Sequence, residues 1–249
     1  MHDTILLLVA GFLGGVLNAV AGGGTFLTFP ALVATGVPVV AANATSTIAA
    51  LPGYLAAVFG FRREMARFDG PLVLRLTLLT LLGGAVGAVL LLVSSDDFFS
   101  LLVPFLLLGA TLAFLRGSAL RAWAMRNSRL VLPFGAGTLL PVAVYGGYFN
   151  GGLGIILLAL FSLWGMTDLH QMNGLKSWLS FALSIIAAGV FAVGGQVAWL
   201  PCLIVAVGTI LGGYLGAPIA RYIPIAMLRA LIAAVGFGMT ALFFWRIVN

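Results

Sequence analysis

The phrase Gly-Gly-x-x-Asn-x-x-x-Gly occurs twice in this chain, as Gly14, Gly15, Asn18 and Gly22 and again as Gly146, Gly147, Asn150 and Gly154. A second phrase, Gly-Gly-x-x-Gly-Ala, recurs at 83–88 and 212–217, and Asn43 has its counterpart in Asn173. All three recurrences are spaced by close to 130 positions, so the chain is a duplication of a unit of about 120 residues. Small residues let helices pack closely in a membrane, which accounts for Gly83, Gly87, Gly212 and Gly216. It does not account for an asparagine kept at the same place in both halves. Glycine- and asparagine-interrupted apolar segments at matching places in duplicated halves point to the binding site of a secondary transporter.

Hydrophobic residues make up 62% of the chain and charged ones 7%, against roughly 25% charge in soluble domains. No part of it can present an ordinary solvated surface, and the fold class is an all-α polytopic membrane protein. Its length allows about eight to ten spans of roughly 20 residues. The +6 net charge lies in short loops between apolar segments, where it orients the chain against the inner leaflet rather than binding nucleic acid. There is no phosphate-binding loop, no cofactor signature and no Cys/His cluster for a metal; Cys202 is the single cysteine. The N-terminus lacks a basic region and a cleavage site, so it reads as a retained first span.

Apolar segments fall at 4–21, 25–35, 41–61, 71–93 and 98–115, then at 130–148, 153–164, 172–193, 197–217 and 225–245. They divide as a first repeat over 1–115 and a second over 130–249, joined by a polar linker at 116–129. Arg116, Arg121, Arg126 and Arg129 mark that linker as cytoplasmic, and Arg62, Arg63 and Arg67 mark the 62–69 loop likewise. Asp96 and Asp97 suit the far side. Residues 4–35 and 130–164 are each too long for one straight crossing of a ~30 Å core, and each is broken midway. Two hairpins would make the repeats inverted; two broken crossings would make them parallel. The charge distribution favours inversion, because it leaves Arg221 and Lys176 toward the cytoplasm and only terminal Arg246 outside. Pro30, Pro52, Pro104, Pro141 and Pro201 predict kinks, and the tryptophans predict an interfacial belt.

Gly22, Gly23, Gly24 and Thr25 form a break where freed backbone N–H groups could hold an anion. Asn150, Gly152 and Gly154 mark the equivalent break. The next matched pair is Asn43 with Thr45, and Asn173 with Lys176 and Ser177. As plain structure these are helix caps and interhelical bonds. Lys176 is the single lysine, several residues inside an apolar helix; it either snorkels to the interface or points inward and marks a substrate path. His170 beside Asp168 reads as an interface residue, and Arg75 and Arg229 can snorkel.

The stretch GFLGGVLNAVAGGGTFLTFPALVATGVPVVAANATS at 11–46 closely resembles the first block of the TauE/SafE family of sulfite and organosulfur-anion exporters, also called the 4-toluene sulfonate uptake permease family. Residues 141–195 resemble its second block, with the usual glycine run shortened to Gly151, Gly152, Leu153, Gly154. The resemblance implies a multi-pass carrier of the bacterial inner membrane, moving sulfite or sulfonates by alternating access at a midplane site. That site would draw on Asn18, Gly22, Gly23, Gly24, Asn43, Thr45, Asn150, Gly152, Gly154, Asn173, Lys176 and Ser177. Expected partners are the lipid bilayer and a small sulfur-containing anion, with room for a homodimer and none for nucleic acid. An anion channel and a non-transporting membrane subunit remain as alternatives. An intramembrane enzyme does not, since no nucleophile–base pair or carboxylate dyad lies in a span.

Overall fold

The structure is a computed structural model that describes residues 2–20, 23–127, 131–219 and 225–248. Every described element is helical. The first half contains α1 (His2–Val20), α2 (Thr25–Ala34), α3 (Val39–Ala49), α4 (Leu51–Gly60), the short α5 (Arg62–Met65), α6 (Gly70–Val93) and α7 (Asp96–Leu115). After the connecting α8 (Gly117–Arg126) come α9 (Ala136–Tyr148), α10 (Leu153–Leu163), α11 (Leu169–Val193), α12 (Trp199–Ile219) and α13 (Ile225–Val248). Three continuous helices, 70–93, 96–115 and 169–193, are long and apolar enough to cross a membrane, as is the run 39–60 made of α3 and α4. The segments expected from hydropathy are present as helices, except that 41–61 is divided into α3 and α4 and 130–148 is helical only from Ala136; α8 forms inside the polar linker. Of the prolines, Pro52 coincides with a break in the helix, at Ala50 between α3 and α4; Pro30, Pro104 and Pro141 lie within continuous helices.

The first segment of each half turns back on itself. Trp164, at the end of α10, donates its indole N–H to the Thr138 hydroxyl at the start of α9 (3.0 Å) and stacks at a tilt on Phe134. Both ends of this hairpin therefore lie on one face of the molecule, and Trp164 is buried rather than part of an interfacial belt. In the first hairpin, Gly14 meets both Gly24 and Thr28, so α2 returns along α1. The 13 residues of α9 reach about 20 Å at ~1.5 Å per residue, past the middle of a ~30 Å core but not across it.

The glycine phrases pair across the halves, not within them. On α1, Gly11 rests against Val205 and Gly208, and Gly15 against Thr209, Gly212 and Gly213 of α12. On α6, Gly83 rests against Leu140 and Ala143, and Gly87 against Val144, Gly147 and Tyr148 of α9. In both pairs the numbers rise together, so each pair of helices runs parallel. Lipid is as apolar as a leucine side chain and supplies no hydrophobic drive between helices, so close backbone approach is what holds such pairs. The opposite face of α6 carries Leu74, Leu78, Leu82, Val86 and Val93, all exposed, as a lipid-facing stripe requires.

Side-chain contacts place the loops in two groups. Arg67 pairs with Asp168 at 3.8 Å, which puts the 61–69 and 164–168 loops on one face. Asp96 accepts the Val40 backbone N–H at 2.9 Å, and Gly194 lies against Leu92, which puts the starts of α3 and α7 and the end of α11 on the other. Among the described acidic residues, all six lie in loops or end turns of helices. Gly212 and Gly213 give a sharp test. A Cβ at Gly212 would run into the Phe12 carbonyl, while one at Gly213 meets nothing. Gly212→Ala should lower stability in detergent by about 1–3 kcal/mol, and Gly213→Ala should leave it within ~0.5 kcal/mol, read as apparent melting temperature by fluorescence-detected size exclusion.

Candidate functional site

A hairpin that stops inside a membrane leaves helix-end carbonyls and N–H groups where no lipid atom can bond them. Asn43, fully buried on α3, donates its amide N–H to the carbonyl of Tyr148 (2.9 Å), the last residue of α9. Tyr145 donates its hydroxyl to the Gly151 carbonyl (2.6 Å) within the same tip. In the first hairpin the Asn18 carbonyl oxygen accepts the Gly24 N–H (2.9 Å). One member of each repeated asparagine pair, Asn18 and Asn43, thus satisfies broken backbone, one in each hairpin and by different groups.

Two of the tip glycines do different jobs. Gly152 has φ +75°, a left-handed conformation that caps α10 and disfavours any side chain. Gly24 has an ordinary helical backbone; it excludes a side chain because a Cβ would strike the Gly14 carbonyl and Asn18. Gly22 lies outside the described residues. Gly23 stacks toward Phe26 and Phe114, and Gly154 is buried in the first turn of α10.

The tips approach one another through aromatic rings, a feature with no signal in the repeat pattern. Phe26 touches Gly23 and lies close to Gly152. Phe29 packs edge-on to Phe149 at 5.9 Å between ring centres, and Phe149 also meets Phe99 and Tyr145. Some of the tip N–H groups are already used: Phe26 and Leu27 donate to Gly23 and Gly24, and Ile155 to Gly152.

Polar capacity is left over elsewhere in the interior. Asn150 is 1% exposed, and neither its amide nitrogen nor its oxygen has a hydrogen-bond partner. The Tyr54 hydroxyl is its polar neighbour. The Asn43 carbonyl oxygen and the hydroxyls of Thr25, Ser180 and Ser184 are also buried without partners. Thr45 is engaged differently: its hydroxyl accepts the Ala198 N–H (3.0 Å) and anchors the start of α12.

Lys176 does not snorkel. It is 3% exposed, and its ammonium donates to the Asn173 side-chain oxygen at 2.9 Å. Ser177, one residue on, bonds back to the Asn173 carbonyl. Among the described residues the single ion pair is Arg67 with Asp168, so no carboxylate balances Lys176. The 130-residue offset that relates Asn43 to Asn173 places Ser46 at the position of Lys176. Ser46 is closed off by a 2.6 Å bond to Thr28. The buried cation therefore belongs to one half alone. Among the described residues no group of acidic, histidine or cysteine side chains could hold a metal.

Comparison with known proteins agrees over nearly the whole length. The family model described as Sulfite exporter TauE/SafE matches residues 7–243. A probable membrane transporter protein of Haemophilus influenzae is 30% identical over 237 residues, covering 95% of this chain and 92% of that protein. The probable membrane transporter protein ORF9 of a Sinorhizobium species is 28% identical, covering 96% and 91%. The probable membrane transporter protein YfcA of Escherichia coli K12 is 28% identical, covering 95% and 87%. No solved structure is significantly similar to the chain.

The caps can be tested apart from any transport. Asn43→Ala strands the Tyr148 carbonyl at depth, and should destabilise the protein by about 1–3 kcal/mol. A fall in apparent melting temperature, with Thr77→Val as a comparison at a part-buried hydroxyl bond, would measure it.

Proposed function

The chain belongs to the sulfite exporter TauE/SafE family, and on that premise we propose that it carries small sulfur-containing anions, such as sulfite or sulfonates, out of the bacterial cytoplasm. It is a multi-pass membrane transporter and not an enzyme. The observation that carries the proposal is Lys176: a buried ammonium with one neutral partner and no carboxylate. Burying an unbalanced cation is strongly unfavourable, and an anion entering beside it removes that penalty. Sulfite and sulfonates present several oxygens around one sulfur, which suits an ammonium flanked by amide and hydroxyl donors. One cation among neutral donors binds with the moderate strength a carrier needs for release.

The two repeats are read as inverted. Hairpins that enter from opposite faces, and parallel packing of α1 on α12 and of α6 on α9, support that arrangement. Rocking of one repeat on the other about Asn150, Asn43, Asn173 and Lys176 would then expose the site alternately to each side. Arg62, Arg63, Arg67, Arg116, Arg121 and Arg126 are the basis for assigning the face of the 61–69 loop, and with it the 116–129 linker, to the cytoplasm.

Proteoliposomes loaded with unlabelled sulfite should take up labelled sulfite by counterflow, and Lys176→Gln should lower that rate about tenfold or more, about 1.4 kcal/mol. Lys176→Arg should retain part of it. Conduction without counterflow would replace the carrier by a channel. No movement of sulfite, sulfoacetate, taurine or thiosulfate would favour a non-transporting subunit. Full activity in Lys176→Gln would remove the lysine from the site.

A further inference from the structure

We propose that the hydroxyls of Ser180 and Ser184 bind the oxygens of the transported anion at mid-membrane depth, continuing the site from Lys176 along one face of α11; this rests on the carrier reading above. The 25 residues of α11 run from Leu169, beside the Arg67–Asp168 pair, to Val193. Ser180 and Ser184 bracket its midpoint at Phe181, and Lys176 lies one turn nearer the arginine-rich face. At ~100° per residue, positions 173, 176, 177, 180 and 184 fall in one sector of about 100°. Gly174, which abuts Phe61 and Met65, faces away from it.

Both serines are fully enclosed, at 1% and 0% exposure, and neither hydroxyl has a partner. The usual resort of a helical serine or threonine is the carbonyl four residues back. This chain uses it repeatedly: Thr47 bonds Asn43, Thr77 bonds Val73, Ser162 bonds Leu158 and Thr240 bonds Gly236. On α11 itself Ser177 does so with Asn173 at 2.8 Å. Ser180 and Ser184 make no such bond. A buried hydroxyl without a partner is costly, and an acceptor-rich visitor removes the cost. An anion with several oxygens is such a visitor, and two neutral donors a turn apart would pass it along without trapping it. Thr80 and Thr111 also lack partners, but each is an isolated position on another helix, without a buried cation on its face.

The experiment uses Ser180→Cys and Ser184→Cys, each in a Cys202→Ala background, reconstituted in liposomes. The probe is sulfonatoethyl methanethiosulfonate, a water-soluble anion that labels thiols. Both introduced thiols should react, reaction should block counterflow, and sulfoacetate should slow labelling. Ile185→Cys, on the lipid-facing side of the same helix, should stay unlabelled. Absence of labelling in variants that still transport overturns the proposal, and so does labelling that sulfoacetate leaves unchanged. If the cysteine variants are inactive, Ser180→Ala and Ser184→Ala decide: each should raise KM about tenfold with kcat retained, while Ser162→Ala should not. Unaltered KM in both alanine variants overturns the proposal. Failure of the wild type to move any sulfur anion would overturn the carrier reading by itself. Thiol labelling needs no transported cargo, so it would still report whether an anion path follows this face of α11.

Discussion

Everything in this fold depends on keeping broken backbone out of contact with lipid. A helix that ends at mid-membrane exposes carbonyls and N–H groups for which hydrocarbon offers nothing. The chain meets that need with side chains from other elements. Asn43 reaches from α3 to the end of α9, Tyr145 closes on Gly151, and Asn18 takes the N–H of Gly24. The same logic extends to the break between α3 and α4, where Thr209 of α12 bonds the Ala49 carbonyl at 2.7 Å. Each cap also ties one element to another, so the polar bonds that make the hairpins tolerable also fix where they end.

The glycine surfaces then decide which helices can come close enough for those caps to meet. α1 and α9 each need a partner whose backbone can be approached without intervening side chains. The partner is the fourth long segment of the opposite half in both cases, α12 for α1 and α6 for α9. This exchange makes the two halves one body and leaves no surface at which they could be separated as independent domains. It also leaves the aromatic residues Phe26, Phe29 and Phe149 to fill the space between the hairpin tips. Unpartnered polar groups remain on α11 and at Asn150, and singly on other helices.

The departure from symmetry is as informative as the symmetry. At matching places the first half has Ser46, bonded to Thr28, and the second has Lys176, bonded to Asn173. Of these two positions, 130 residues apart, only one carries a charge. A second ammonium at Ser46 would repel the first in a medium of low dielectric. A single buried ammonium is the arrangement that favours a small anion.

Much was legible in the residue pattern by itself. The approximate apolar segments, the midway breaks and the class of all-α membrane protein follow from composition and spacing. These are local or periodic properties, and a membrane enforces them strongly because it admits few alternatives. The pairing of glycine surfaces across the halves, the burial of Trp164, the employment of Thr45 on Ala198, and the orphaned hydroxyls of Ser180 and Ser184 were decided by tertiary structure alone. Whether an asparagine caps a backbone or waits for a ligand depends on which distant atoms arrive beside it. Spacing along the chain carries no record of those contacts.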